Sequence, residues 1–120
     1  MKTTQILGAF AASCLLAASL TGSVAGEPGR SIEVHAHRFA FEPAEITVHK
    51  GETVSLKLIT DDVPHSLLIS DLKINETTTK SHPAEFQLTP DTVGDFHGRC
   101  GRFCGSGHGQ MTFTVHVVAN

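Results

Sequence analysis

The chain has 120 residues, with 9 Lys and Arg against 12 Asp and Glu, a formal net charge of −3, 8 His, and neither Trp nor Tyr. That length makes a single domain the natural expectation. The acidic balance and the lack of a basic stripe argue against nucleic acid as a partner.

Residues 1–25 read as a secretory signal peptide. Lys2 supplies the positive start, Ile6 to Leu20 is an uncharged apolar run, and Ser23-Val24-Ala25 places small residues where a signal peptidase reads them. An uncleaved anchor is the competing reading, but the run is short and rich in Ala and Ser, and a span needs about 20 apolar residues. A lipoprotein acylated at Cys14 is a second alternative, and Ala11-Ala12-Ser13 is a poor match to its recognition sequence. The expectation is cleavage after Ala25 and a periplasmic or otherwise exported domain spanning 26–120 with no membrane span in the mature chain.

After a lead-in through Arg30, short alternating runs dominate. They cover Ser31 to His37, Ala44 to His49, Thr53 to Thr60, Ala84 to Leu88 and Thr112 to Val118. Lys50-Gly51-Glu52 and Thr89-Pro90-Asp91 read as turns, Asp61 to Pro64 as a break, and Ser66 to Ile69 as a short buried run. Thr77 to Pro83 is polar and reads as a loop. A period of two with frequent turns predicts a β-sandwich or Greek-key barrel, and no segment carries a helical stripe.

The chemistry concentrates between Gly94 and Met111, read as a loop held at both ends by a sheet. Cys100, Cys104, His108 and Met111 fall close together there, separated by glycines that let the chain fold tightly. Thiolate and thioether sulfurs select copper, and imidazole suits it too. Zinc accepts Cys and His but gains little from Met. A centre of this kind draws a further residue from a distant strand, and His65, after Asp62-Val63-Pro64, is the best candidate. Other readings stay open at this point. Cys100 and Cys104 can form a disulfide in an oxidising compartment, and His65, Cys100, Cys104 and His108 can form a structural zinc site.

The spacing Cys100-x3-Cys104-x3-His108-x2-Met111, with Phe96-His97-Gly98 before it, resembles the dinuclear copper (CuA) motif of cytochrome c oxidase subunit II and nitrous-oxide reductase. Asp61 to Ser66 resembles the segment carrying that family's first histidine. Phe41-x-Pro43-x2-Ile46-x-Val48-x2-Gly51 resembles its early strands. The resemblance implies an all-β, Greek-key sandwich of cupredoxin type and two copper ions per chain. Cys100 and Cys104 would bridge the ions, and His65 and His108 would each bind one. Met111 and the backbone carbonyl of Arg102 would be weak ligands. It further implies single-electron transfer with a redox partner such as a cytochrome or another copper protein. The chain departs from the pattern at Arg102, where the family commonly has Glu. It also lacks aromatic Trp and Tyr, preceding membrane helices and a Cys-x-x-Cys-His haem motif, so the expectation is a free-standing relative of the oxidase subunit.

No nucleophile–base pair stands out, so the chain is expected not to be an enzyme. Storage, delivery or sensing of copper is the alternative function. His97 reads as an exposed residue or a neighbour of the centre. His35, His37, His49 and His116 read as exposed strand residues, with His35 and His37 sharing a face that could make a weak surface metal site.

Overall fold

The computed structural model describes residues 29–120, so the expected signal peptide and its cut after Ala25 lie outside the described residues. The strands are β1 (Arg30–His37), β2 (Ala40–Glu42), β3 (Glu45–His49), β4 (Val54–Thr60), β5 (His65–Ile69), β6 (Ile74–Thr78), β7 (Ala84–Leu88), β8 (Gly94–Cys100) and β9 (Thr112–Val118). Single 3₁₀ turns occupy Ser70–Leu72 and His108–Gln110.

Alternation along these strands places one face of each in the core. Val54, Leu56, Leu58 and Thr60 are buried in β4 while their neighbours are half-buried. Phe113, Val115 and Val117 are the buried set in β9. A face of this kind must be covered by a second sheet, and the chain forms two. One has the order β2-β1-β4-β7 and the other β3-β9-β8-β5-β6. β1 runs parallel to β4, with Val34 opposite Leu58, and β3 runs parallel to β9, with Val48 opposite Val117. The remaining pairs are antiparallel. Phe41 of the first sheet meets Phe113 of the second edge-on, with ring centroids 5.9 Å apart and planes at 72°. Such a pair adds about 1 kcal/mol beyond the burial of its surface. The architecture is the β-sandwich expected from the sequence.

Parts of two segments expected as loops are strands. Thr77 and Thr78 close β6, and its core-facing end is Thr78, whose hydroxyl donates to the Leu58 carbonyl at 2.9 Å. A buried hydroxyl with its own partner looks polar in sequence but behaves as core. Gly94 to Cys100 forms β8, paired with β9 from Gly94 opposite Val117 to Arg99 opposite Thr112. Its inward positions near the end are Gly98 and Cys100, not aliphatic residues, so the alternation is hidden. Gly98 is required there because a Cβ would lie 2.5 Å from Cγ1 of Ile69.

These registers bring several strand ends together. Ala36 of β1 lies opposite Thr60 of β4, Leu67 of β5 opposite Cys100 of β8, and Arg99 opposite Thr112. The β1–β2 turn, the β4–β5 loop and the β8–β9 loop therefore meet at one end of the sandwich.

Candidate metal centre

His65 opens β5 and is fully buried. The loop before it is folded around Asp62. The Thr60 hydroxyl donates to the Val63 carbonyl. The Asp62 carboxylate accepts the backbone N–H of Arg38 at 2.7 Å, the N–H of Val63 at 2.6 Å and Nε2–H of His65 at 2.7 Å. Burial pulls this carboxyl upward, but the Arg38 N–H, His65 and the Val63 N–H outweigh it and hold the group well below the usual carboxylate range. The hydrogen bond at Nε2 also sets the His65 tautomer, leaving the Nδ1 lone pair free to bind a metal. Nδ1 lies 3.9 Å from Sγ of Cys100.

Cys100 ends β8 and is fully buried. Its thiol donates to the Arg102 carbonyl at 3.0 Å. The chain then turns tightly at Gly101, whose N–H donates to the buried Ser66 hydroxyl at 2.9 Å and where a Cβ would lie 3.0 Å from that oxygen. Cys104 is also buried, with Sγ 3.7 Å from Nδ1 of His108 and 3.5 Å from Sδ of Met111. The donor atoms of His65, Cys100 and Cys104 all lie within 4.8 Å of one another. The Cys100 N–H donates to the Met111 carbonyl at 3.0 Å and closes the loop at its base.

The β1–β2 turn holds the loop from outside. Arg38 donates Nε–H to the Cys104 carbonyl at 2.8 Å. The Phe39 ring lies under two glycines, where a Cβ on Gly105 would approach it to 2.9 Å and one on Gly107 to 2.4 Å. Gly105 also has φ +139°, a conformation that favours glycine.

The sequence-predicted residues thus converge: His65, Cys100, Cys104, His108, Met111 and the Arg102 carbonyl form one cluster. Both cysteines are free thiols in this structure rather than a disulfide. His97 is exposed on β8 and 3.2 Å from the Thr114 hydroxyl, away from the cluster. His35 is held between Asp61 at 2.8 Å and Glu33 at 2.7 Å, His37 pairs with Glu42 at 3.2 Å, and His116 lies 2.7 Å from Asp95. His49 is exposed. Asp61-Asp62 reads from sequence as a solvated turn that positions His65. Asp62 does position it, but from a carboxylate turned inward. Arg38 and Phe39 went unpredicted, because no local pattern shows that a turn far away in sequence will lie against the ligand loop.

Chemically, the cluster is a soft donor set: two thiols, two imidazoles, a thioether and a carbonyl. Burial first, and then the neighbouring Cys100, push the Cys104 thiol up to about 11. A metal would have to displace that proton, and a soft one is favoured by sulfur donors. The thioether in the cluster matches copper better than zinc.

A β-sandwich carrying a buried thiol–imidazole–thioether cluster where its loops meet is a small β domain built around a soft-metal centre. More particularly, the chain belongs to the cupredoxin-like domain family, whose model matches residues 7–113. The chain is 37% identical over 70 residues to the "Probable cytochrome c oxidase subunit 2" of Streptomyces avermitilis, covering 58% of this chain and 22% of that protein. It is 26% identical over 87 residues to the cytochrome c oxidase subunit 2 of Thermus thermophilus, covering 72% of this chain and 64% of that one. Among solved structures it resembles the periplasmic domain of cytochrome oxidase subunit II of Bradyrhizobium japonicum. That match has a TM-score of 0.71 and 14% identity, and it covers 79% of this chain and 88% of that domain. The chain therefore spans less than two thirds of the length of these curated oxidase subunits.

Proposed function

We propose that this protein is an exported copper protein that passes single electrons through a dinuclear centre. The observation that carries the reading is the convergence of six donors at one end of the sandwich, three of them within 4.8 Å of one another. In this reading Cys100 and Cys104 would together hold two copper ions. His65 and His108 would each hold one of them, and Met111 and the Arg102 carbonyl would be weak ligands. When bound, such a pair of ions supplies a reversible one-electron couple shared over both metals.

The chain's own residues supply rigidity and dryness. Asp62 holds His65 in one tautomer and one orientation. Ser66 holds the backbone just after Cys100 and Arg38 holds the carbonyl of Cys104. Strands β5, β8 and β9 anchor three of the donors in the sheet or at its edge. A cage fixed in this way changes little when the charge on its contents changes, which suits electron transfer. The donors converge on one centre and no nucleophile–base pair accompanies them among the described residues, so the protein is proposed as a carrier, not an enzyme. The similarity to oxidase subunits and to a periplasmic domain supports both the electron-transfer role and the exported location.

The test is to load the purified domain with copper and record stoichiometry, visible spectrum and electron paramagnetic resonance together. About two coppers per chain, with hyperfine splitting from two equivalent nuclei, is the expected result. One copper per chain, or readily surrendered copper without reversible redox cycling, would refute the dinuclear carrier and favour copper storage or delivery.

A further inference from the structure

The loop that carries Cys104 also carries Phe103, which is 78% exposed and the most exposed large apolar side chain among the described residues. Its ring lies 5.8 Å from the His108 imidazole, tilted by 46°. In sequence it sits between Arg102, whose carbonyl meets the Cys100 thiol, and Cys104 itself. A cavity of about 250 Å³ opens beside it. Val63 and Pro64, which lead into His65, form one wall, and Arg38 and Arg102 stand among the lining residues with no carboxylate. Asp62, the acid nearest in sequence, is turned inward onto Arg38 N–H, Val63 N–H and His65. The Nε–H bond from Arg38 to the Cys104 carbonyl holds its guanidinium over the loop.

This face runs against the character of the chain, which is net acidic. An exposed aromatic ring flanked by arginines is the composition of an interface core, since aromatic residues and Arg are enriched there and tend to dominate the binding energy. Transient redox encounters need only a small patch, below about 1,200 Å² in total.

We propose that Phe103, Val63, Pro64, Arg38 and Arg102 form a docking surface for an acidic one-electron redox protein, with Phe103 bridging the partner to His108. The proposal rests on the electron-transfer reading above and adds the charge of the partner and the contact residue. The two guanidiniums attract an acidic surface and orient it. The apolar ring and the Val63-Pro64 wall exclude water where the partner's redox group comes closest.

Two probes test it on the copper-loaded protein. The first is hexacyanochromate(III), a redox-inert paramagnetic anion, added to isotope-labelled, fully reduced protein and followed by nuclear magnetic resonance. Broadening is expected at Arg38, Arg102, Phe103 and Gly105, and not around Arg30 or Lys57. The second is oxidation kinetics with an anionic and a cationic reagent. Hexacyanoferrate(III) takes one electron from the reduced centre and becomes hexacyanoferrate(II), and tris(phenanthroline)cobalt(III) likewise becomes the cobalt(II) complex, with no bond made or broken on the protein. At low ionic strength the anion is expected to react faster, and the ratio of the two rates should collapse as salt is added. Arg102→Glu should lower that ratio on the order of tenfold. An acidic c-type cytochrome should likewise outrun a basic one.

Broadening centred on other cations, or a rate ratio that neither salt nor Arg102→Glu changes, would overturn the docking surface and leave electron transfer standing. If neither reagent oxidises a protein that holds copper, the electron-transfer reading fails and the docking surface falls with it.

Discussion

At the scale of single residues, the centre depends on side chains that touch no metal. Asp62 is the clearest case, because one carboxylate satisfies two backbone N–H groups and fixes the His65 ring. Asp62→Asn keeps an oxygen acceptor but removes the charge that orders His65. The expected result is a fold intact by circular dichroism, with copper affinity lowered about tenfold in a competition titration against a chelator. Gly107 tests the outer support. A methyl there would reach within 2.4 Å of the Phe39 ring. Gly107→Ala should therefore cost about 1–3 kcal/mol by denaturant unfolding of the metal-free protein. Pairing it with Phe39→Leu should recover part of that loss, because the clash lies between those two residues.

At the scale of elements, His37 and His116 act as cross-strand ties. His116 of β9 lies opposite Asp95 of β8 and reaches Glu45 of β3 at 3.6 Å. Asp95 first, then Glu45, raise the His116 pKa above its ordinary 6.5. Asp61 and Glu33 do the same for His35, and the Arg38 carbonyl and Glu42 for His37. A histidine whose folded pKa is raised binds its proton more tightly in the folded state. Its stabilisation is complete below 6.5 and disappears as pH rises through the raised folded value. The metal-free domain should thus lose stability between pH 6 and pH 8, by a small amount because these pairs face solvent. Thermal unfolding across that window checks it, and His116→Gln should flatten the slope.

At the scale of the whole molecule, metal and fold are linked. The donors come from distant parts of the chain, His65 from β5, Cys100 from the end of β8 and the rest from the β8–β9 loop, so an unfolded chain cannot present them together. Copper should raise the unfolding midpoint by mass action, and chelation should reverse it. Loading releases thiol protons, and Cys104 holds its proton up to about 11. The copper-induced increase should therefore grow with pH, opposite in sign to the slope of the metal-free domain. Unfolding curves with and without copper at two pH values separate the two effects.

Much of this was legible in the sequence. The alternation in β4 and β9 announces half-buried strands, because a period of two can serve only a sheet with one face in the core. The Cys100, Cys104, His108 and Met111 spacing marks a soft-metal loop, because those residue types share little other chemistry. Three-dimensional packing settled the rest. β8 stayed hidden because its inward positions are Gly98 and Cys100, chosen to fit Ile69 and the centre, and β6 because its buried end is a threonine with its own hydrogen-bond partner. Arg38, Phe39 and the inward turn of Asp62 left no local trace, since their roles depend on the β1–β2 turn meeting loops far away in sequence. Local pattern records the period of a strand and the chemistry of a loop, whereas contacts between distant turns exist only once the sheets have registered and stacked.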